Sequence, residues 1–374
     1  MGTHPFDVGV IGGGPAGSAT ALALARLGYR VALVEGSHYD SVRVGETLPP
    51  AIRKLLIRLG VWERFLEQKH SPSFGIRCCW GGEDSYSNDF IFNPYGPGWH
   101  VDRARFDSML ALAARDAGAE VWLGARLESV VQGSGAEWRI EAGRAAKRIR
   151  LRSKFLVDAT GRASAIGRRL GARRLIYDRL VGAVRFCSIR AGVRDSLTLI
   201  EAVEHGWWYS AVLPDGRLIA AFMTDADLLP RDLKAGGSAW EQLLRNARLT
   251  SAPLDGGGIG NIAIRSARSS RLDRAAGAGW LAVGDAAAAY DPLSSQGIYV
   301  GLDSGLRAAE AVHEHFKGDR KSCAAYASGV EAHFDRYLRR RAAYYAREQR
   351  WPDAPFWQSR SFVARVATQA LLLG

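Results

Sequence analysis

Asp7-Val8-Gly9-Val10-Ile11-Gly12-Gly13-Gly14-Pro15-Ala16-Gly17 begins a unit that Tyr29-Arg30-Val31-Ala32-Leu33-Val34-Glu35 completes. Two short apolar strands flank a stretch of helical pattern that runs to Leu27-Gly28, so the unit reads as βαβ. The glycine loop falls where the first strand turns into the helix, with Pro15 and Ala16 at the helix start. Gly12 permits the tight turn, Gly14 lets a pyrophosphate approach the backbone, and Gly17 lets helix and strand pack closely. The helix N-terminus offers free N–H groups and a positive dipole end to phosphates. Glu35 ends the second strand, where a carboxylate accepts hydrogen bonds from a ribose diol. Ala21 and Gly28 fall where small residues keep the helix near the sheet. Glycines at this spacing are a weak signal alone. The strand before them, the helix after them and the acid at the next strand end make the signal specific.

The rest of the composition narrows the partners. A chain of 374 residues has room for one or two domains around a large core. The net charge of +12 is compatible with nucleic acid, an anionic membrane or an acidic protein partner. The basic residues are spread out, however, and no nucleic-acid motif accompanies them. The densest runs, Arg336-Tyr337-Leu338-Arg339-Arg340-Arg341 and Arg168-Arg169 to Arg173-Arg174, read as solvated helix faces. No apolar run reaches transmembrane length, and no signal-peptide pattern precedes the first strand. Cys78, Cys79, Cys187 and Cys323 form no metal-binding spacing, so free thiols in a reducing cytoplasm are expected, with no metal.

Helices are predicted over residues 51–60, 104–117, 240–247, 297–316, 322–348 and 361–373. Strands are predicted over residues 74–80 and 85–92, as hairpin strands within 136–152, and over 118–122 and 155–162. A second block covers 181–189, 196–203, 207–213 and 218–224, and the Asp215-Gly216 turn joins its last two strands. Residues 279–285 return as a buried strand. Parallel α/β pieces therefore alternate with antiparallel strands, so one domain is discontinuous and the other is threaded through it. The boundaries read 1–70, 100–165 and 275–320 for the nucleotide domain, 71–99 and 166–274 for the antiparallel sheet, and 321–374 for C-terminal helices.

Three motifs stand in order: the Gly12 to Glu35 unit, Asp158-Ala159-Thr160-Gly161-Arg162, and Gly284-Asp285 followed by Pro292-Leu293-Ser294-Ser295-Gln296-Gly297. In this register the chain resembles the single-component flavoprotein hydroxylase superfamily, which includes aromatic hydroxylases, geranylgeranyl reductases and flavin-dependent halogenases. The resemblance implies an α/β fold: an FAD-binding Rossmann-like domain interleaved with an antiparallel-sheet substrate domain, as in p-hydroxybenzoate hydroxylase. It also implies roles. Gly12, Gly14, Gly17 and Glu35 would hold the ADP half of FAD, and Arg103 would contact FAD. Gly284-Asp285 would bond the ribityl hydroxyls. Pro292 to Gly297 would pass the flavin ring, and the helix starting near Gly297-Ile298 would point its N-terminus at the ring. Arg43 and Glu46 lie in the loop that approaches the flavin from the other side. The Asp255-Gly256-Gly257-Gly258-Ile259-Gly260 stretch lacks a βαβ setting and reads as a plain connector. With no second fingerprint, NAD(P)H would bind transiently or a separate reductase would supply electrons.

Gly206-Trp207-Trp208-Tyr209-Ser210-Ala211-Val212-Leu213-Pro214 resembles a degenerate halogenase signature. Tryptophan halogenases, however, carry a lysine just before the strand that starts here near Phe74. This chain has Ser71, Pro72 and Ser73 there, with Lys69 displaced. The closer likeness is to the short flavoproteins that mature cysteine tryptophylquinone oxidases. It lies in Gly45-Glu46-Thr47-Leu48-Pro49-Pro50, Phe90-Ile91-Phe92, Gly98-Trp99-His100-Val101-Asp102-Arg103, the block from Gly279 to Leu302, and the tail from Arg350 to Trp357. The resemblance implies FAD, O₂ as co-substrate, and hydroxylation of an electron-rich ring, a tryptophan in an acidic oxidase precursor. The other readings are a halogenase or hydroxylase of a small or carrier-protein-tethered substrate, and a non-enzymatic flavoprotein chaperone. The short stretch after the last flavin-domain helix predicts an open site with little lid, which suits a protein-borne substrate. Trp80, His100, Trp208 and Gln296 are the candidate residues around the ring.

Overall fold

The computed structural model describes residues 4–41, 43–133, 137–144, 147–193, 195–233 and 238–360. The predicted helix over 361–373 lies outside them. The first sheet has eight strands, with His4–Ile11 at its centre. His4–Ile11 pairs in parallel with Val31–Val34 on one side and Lys147–Asp158 on the other. Glu120–Trp122 and Trp280–Ala282 extend the parallel set outward. Strands covered on both faces read as continuous apolar runs, and Val31 to Val34 are all buried. The Pro15–Arg26 helix packs against the Arg103–Asp116 and Gly297–Phe316 helices. Glycine makes the second contact close. A Cβ on Gly305 would lie 2.5 Å from the Ala16 carbonyl oxygen, and Thr20 Oγ1 donates to the Gly305 carbonyl at 3.2 Å.

Three expectations in this half need correction. The predicted hairpin strand and the buried strand that follows it form one continuous element, Lys147–Asp158. Its first part pairs antiparallel with Trp138–Arg144, and it runs on as the parallel neighbour of His4–Ile11, so one strand serves two ladders. Ala125–Gln132, which the pattern did not single out, completes the antiparallel edge beside Trp138–Arg144. Gly28 does not keep helix and sheet close. It has φ +86 and nothing stands where its Cβ would be, so it ends the helix through its left-handed backbone.

The second large sheet has seven strands, in the order Leu254–Ser266, Leu180–Ile189, Leu218–Asp225, Gly206–Val212, Leu197–Val203, Gly75–Cys79 and Tyr86–Asp89. The Asp215-Gly216 hairpin forms as predicted, with Val212 opposite Leu218. The glycine stretch read as a connector is instead part of the edge strand Leu254–Ser266. Its register against Leu180–Ile189 shifts twice. Gly256 and Gly260, both at positive φ, lie within the two shifts. Bulges of this kind break alternation, and that hid the strand.

Alternation puts Trp207 and Trp208 on opposite faces of this sheet. Both faces are covered, so neither ring is a surface aromatic. Trp207 and Tyr209 pack with Trp80, Tyr345, Phe356 and Trp357, and Trp208 packs with Phe222 and Trp240. The first of these clusters overturns the expectation of an uncovered site. After the Ser322–Tyr345 helix the chain runs back across the sheet, and Phe356 and Trp357 seal against it. Arg360 then pairs with Asp225 at 2.8 Å. Two three-stranded sheets complete the structure: Thr47–Leu48 and Ser71–Ser73 on either side of Gly98–His100, and Arg174–Ile176 and Ala288–Ala289 on either side of Ser270–Leu272.

Candidate active site

The glycine turn divides its glycines by use. Gly12 has φ +109, and a Cβ there would overlap the Ala159 carbonyl of the neighbouring turn. A Cβ on Gly17 would overlap the Gly12 carbonyl oxygen. Gly14 has nothing within 4 Å of that position, so its open side faces free space. The helix that follows has Pro15 in its first turn, no side-chain cap and no acidic residue there. Its free N–H groups and dipole are therefore left for an anion. Glu35 is positioned by its own chain: Oε2 accepts from the Gly13 amide at 2.7 Å, and Oε1 accepts from Ser37 and Arg43.

Arg43 and Arg103 share one buried acid. Asp107 accepts from Arg43 at 2.8 Å and from Arg103 at 3.1 and 3.2 Å. Arg103 also donates to the carbonyls of Val44 and Gly45, at 2.6 and 3.1 Å. The 43–45 loop is thereby tied to the start of the Arg103–Asp116 helix.

The third motif meets the first in space. Gly284 has φ +54, and a Cβ there would lie 2.7 Å from the Ala16 Cβ. Its amide donates to Ser304 of the long helix at 2.9 Å. Asp285 keeps a half-exposed carboxylate beside Arg162 at 3.3 Å. The Asp158 turn is internal: its carboxylate accepts from the amides of Thr160, Ile166 and Gly167 and from the Thr160 hydroxyl. Ahead of the Gly297–Phe316 helix, Asp291 holds the Pro292–Ser294 turn by accepting from the Leu293 amide, while Arg341 and Tyr345 bond to it at 2.9 and 2.8 Å. Ser295 is left-handed, Gln296 and Gly297 are exposed and Ile298 is buried. The first turn of this helix also has no acidic residue.

The four ring candidates do not converge. His100 is fully buried, with Nε2 2.9 Å from the Thr198 hydroxyl. Burial pushes its pKa down to about 4, so it is neutral near pH 7. Trp80 donates from Nε1 to the Tyr344 carbonyl and is used in packing the C-terminal segment. Trp208 lies on the far face of the sheet, against Trp240. Gln296 stands at the exposed helix start. The residues that do gather around His100 are Thr47, Thr198 and Tyr209, linked by hydroxyl contacts, with Glu46 adjoining Thr47 in the chain. Thr198 carried no sequence signal, because a single hydroxyl within a strand has no pattern of its own, and Tyr209 stood out only as part of the Gly206 to Pro214 stretch.

The sequence matches the family described as FAD binding domain over residues 5–341. The chain belongs to this family. A putative FAD-dependent oxidoreductase, LodB of Marinomonas mediterranea, is 29% identical over 364 residues, covering 95% of this chain and 96% of that protein. The 1H-pyrrole-2-carbonyl-(peptidyl-carrier protein) chlorinase of Pseudomonas fluorescens is 26% identical, covering 85% and 78%. Among solved structures, the peptidyl tryptophan dihydroxylase QhpG, essential for tryptophylquinone cofactor biogenesis, is 27% identical with a TM-score of 0.79, covering 95% of this chain and 78% of that one. The flavin-dependent halogenase CmlS has the same fold, with a TM-score of 0.86 at 24% identity over 99% and 70% of the two chains.

FAD is thus the cofactor of this protein, and the residues present fit it. Gly14 leaves space where a Cβ would stand, two helix N-termini are free of acids, and Gly284 brings Asp285 against the start of the first helix. In one basic run Arg168 and Arg169 are exposed on the Ala165–Arg169 helix and Arg173 is exposed beyond it, while Arg174 is half-buried. Arg162, Arg168, Arg173, Arg174 and Arg268 line one cavity of about 480 Å³. Asp285 and Asp273 pair with Arg162 and Arg173. Arg174 donates only to hydroxyls and carbonyls, and burial pushes its pKa down to about 10. In the other run Arg336, Arg339 and Arg340 are exposed, but Arg341 is buried between Asp178 and Asp291. All four cysteines are free thiols. Among the described residues no helix is long and apolar enough to cross a membrane.

Proposed function

We propose that this FAD-dependent oxidoreductase is a monooxygenase that adds oxygen to an electron-rich aromatic ring, a tryptophan carried on a protein partner. The observation that carries the reading is the Ser71–Ser73 strand. It pairs with Gly98–His100 and occupies the place where the halogenase resemblance calls for a lysine. Lys69 is exposed on the turn before it, at φ +53. No ammonium therefore stands on that strand to orient a hypohalous acid. The likeness to a peptidyl tryptophan dihydroxylase supports the same reading. The covered sheet face removes the argument from an open site, so the protein-borne substrate rests on that likeness and on the charge of +12, which favours an acidic partner. The likeness to a chlorinase of a carrier-protein substrate favours the second reading, a halogenase or hydroxylase of a tethered small ring.

In the preferred reading Gly12, Gly14, Pro15, Ala16 and Gly17 hold the diphosphate of FAD and Glu35 faces its ribose. Arg43 and Arg103 fix the loop that flanks it. Gly284 and Asp285 take the ribityl hydroxyls. Pro292, Gly297 and Ile298 border the ring, where the helix dipole favours negative charge. Bound FAD supplies the redox chemistry with O₂, and reducing equivalents come from transient NAD(P)H or a separate reductase. The chain's own part is to orient the partner's ring, exclude water and manage protons.

The test is to incubate reduced enzyme and O₂ with a candidate oxidase precursor and map oxygen additions by peptide mass spectrometry. Oxygen on a tryptophan of the precursor is expected, and no halotryptophan from free tryptophan with chloride or bromide. An unmodified precursor, alongside ordinary turnover of small or carrier-bound rings, replaces this reading with the second. An enzyme that stabilises the precursor without modifying it or any ring would be a chaperone.

A further inference from the structure

Five guanidiniums line one cavity of this protein, and among the described residues only two of them meet an acid. Arg162 lies 3.3 Å from Asp285, and Arg173 lies 3.1 Å from Asp273. Arg168, Arg174 and Arg268 have no carboxylate within 4.0 Å among the described residues. Neutral groups hold the guanidiniums instead. Arg162 donates to the carbonyls of Arg268 and Tyr290 at 2.7 and 3.0 Å. Arg174 donates to the Ser270 hydroxyl at 3.0 and 3.1 Å, and to the carbonyls of Asp285 and Ala286 at 2.9 and 3.0 Å. Arg268 donates to the Ser266 hydroxyl at 3.2 Å. Neutral acceptors fix a guanidinium without cancelling its charge, and here they use only part of its N–H groups. The cavity therefore presents positive charge that is already in position.

Its size and rim indicate what anion fits. A cavity of about 480 Å³ is much larger than one small anion fills, since a water takes only roughly 30 Å³. Arg168 stands in the last turn of the Ala165–Arg169 helix, the end whose dipole disfavours anions, so this helix adds no amides to the site. The charge comes from side chains spread around the wall, which suits several separate carboxylates better than one phosphate. The rim is apolar as well. Ile176 lines the cavity and is 53% exposed, and its neighbour Tyr177 is 37% exposed. Arginine and tyrosine beside exposed aliphatic surface are the composition of a protein-binding patch, and the guanidinium fork matches a carboxylate with paired N–H donors. The patch also adjoins the flavin site. Arg162 faces Asp285 and lines the cavity, and Arg174 holds the Asp285 carbonyl.

We propose that the arginine cavity is the docking site for an acidic segment of the protein that carries the substrate ring. The inference rests on the protein-borne substrate of the function proposed above, and it names where that partner is held. Aspartate and glutamate side chains of the partner enter the cavity and pair with Arg168, Arg174 and Arg268. An apolar side chain of the same segment covers Ile176 and Tyr177. No covalent bond changes there. The charge also steers the encounter, so association weakens as salt rises.

The experiment uses FAD-loaded, full-length protein and a fluorescein-labelled oligo-glutamate peptide with one tryptophan, followed by fluorescence anisotropy. Arg168→Glu combined with Arg268→Glu should weaken binding by about tenfold or more and leave FAD content unchanged. Arg168→Ala combined with Arg268→Ala should weaken it less, in the same direction. Arg139→Glu combined with Arg144→Glu makes the same change of net charge. Both of these arginines are exposed on the Trp138–Arg144 strand, beside the first half of the Lys147–Asp158 strand whose far end leads towards Arg162. That pair should keep affinity within about twofold, because salt screens a charge over roughly 10 Å. Equal weakening by the two charge-reversed pairs would reduce the effect to net charge and overturn the proposal. Pyrophosphate is the competing probe. If it binds more tightly than the peptide and is lost in the Arg168 and Arg268 variant, the cavity is a small-anion site and the proposal fails. With a candidate oxidase precursor, the same variant should raise KM more than it lowers kcat, and an unchanged KM would also overturn the docking site. A precursor left unmodified by wild-type protein would count against the function proposed above, while the peptide titration still decides the docking site.

Discussion

Two glycine-rich stretches of this protein have similar composition and opposite uses. At Gly12 and Gly17, backbone fills the space that a side chain would need. Gly12 lies against the Ala159 carbonyl and Gly17 against the Gly12 carbonyl, and only Gly14 opens outward. Around Gly256 to Gly260 the chain is a sheet edge, with open space beside Gly256 and Gly260 and the side chain of Arg185 crossing over Gly258. A glycine enforced by backbone has no way to relax. One beside a flexible arginine does. Function follows the first kind, because a turn that tight is what leaves the amides of the next helix free for a ligand.

Substitutions can break this comparison. The largest effect is expected from Gly17→Ala, whose methyl meets a carbonyl that cannot move. Overpacking of this kind costs about 3 kcal/mol, read as lower urea midpoints and lost FAD, and a stable, FAD-loaded variant would refute the contrast. Asp285→Ala is next. Losing a charge-assisted hydrogen bond should weaken FAD binding by about 1.5–3 kcal/mol in a titration of apoprotein, and unchanged affinity would remove Asp285 from the site. Gly14→Ala sharpens the comparison, because its methyl enters open space. The apoprotein should keep its stability within about 0.5 kcal/mol while FAD affinity falls roughly tenfold, about 1.4 kcal/mol. A loss of apoprotein stability instead would mean that the turn itself needs this glycine. The smallest effect is expected for Gly258→Ala. Arg185 has to give up its bond to the Gly260 carbonyl and its 3.8 Å approach to Glu241. Exposed contacts of this kind contribute at most about 1 kcal/mol, and FAD content should not change. A Gly258→Ala chain that fails to fold would erase the distinction.

The same division decides how much could be read in advance. The βαβ unit, the long helix Gly297–Phe316 and the hairpin closed by Asp215-Gly216 were legible because their signals lie within a few residues of one another. The order and spacing of the three motifs could be read for the same reason. Their convergence at Ala16, Gly284 and Gly301 is a tertiary fact that the motifs only implied. The pocket around the ring was poorly legible. Trp80 and Trp208 are conspicuous in the sequence, yet both are used in packing, whereas nothing in the sequence marks Glu46 as a buried acid without a hydrogen-bond partner among the described residues.

From its sequence alone this protein was determined to be a dinucleotide-type α/β chain with a second, antiparallel sheet. Glycine spacing, helical period and strand alternation are properties of neighbouring residues. Only the tertiary structure decided that residues 254–266 are a strand, that Phe356 and Trp357 cover the sheet, that five scattered arginines share one cavity, and that among the described residues a single buried acid is left without a hydrogen bond. Each of these depends on which distant surface or charge comes to lie opposite. Burial and electrostatic balance are set by that pairing and not by local sequence.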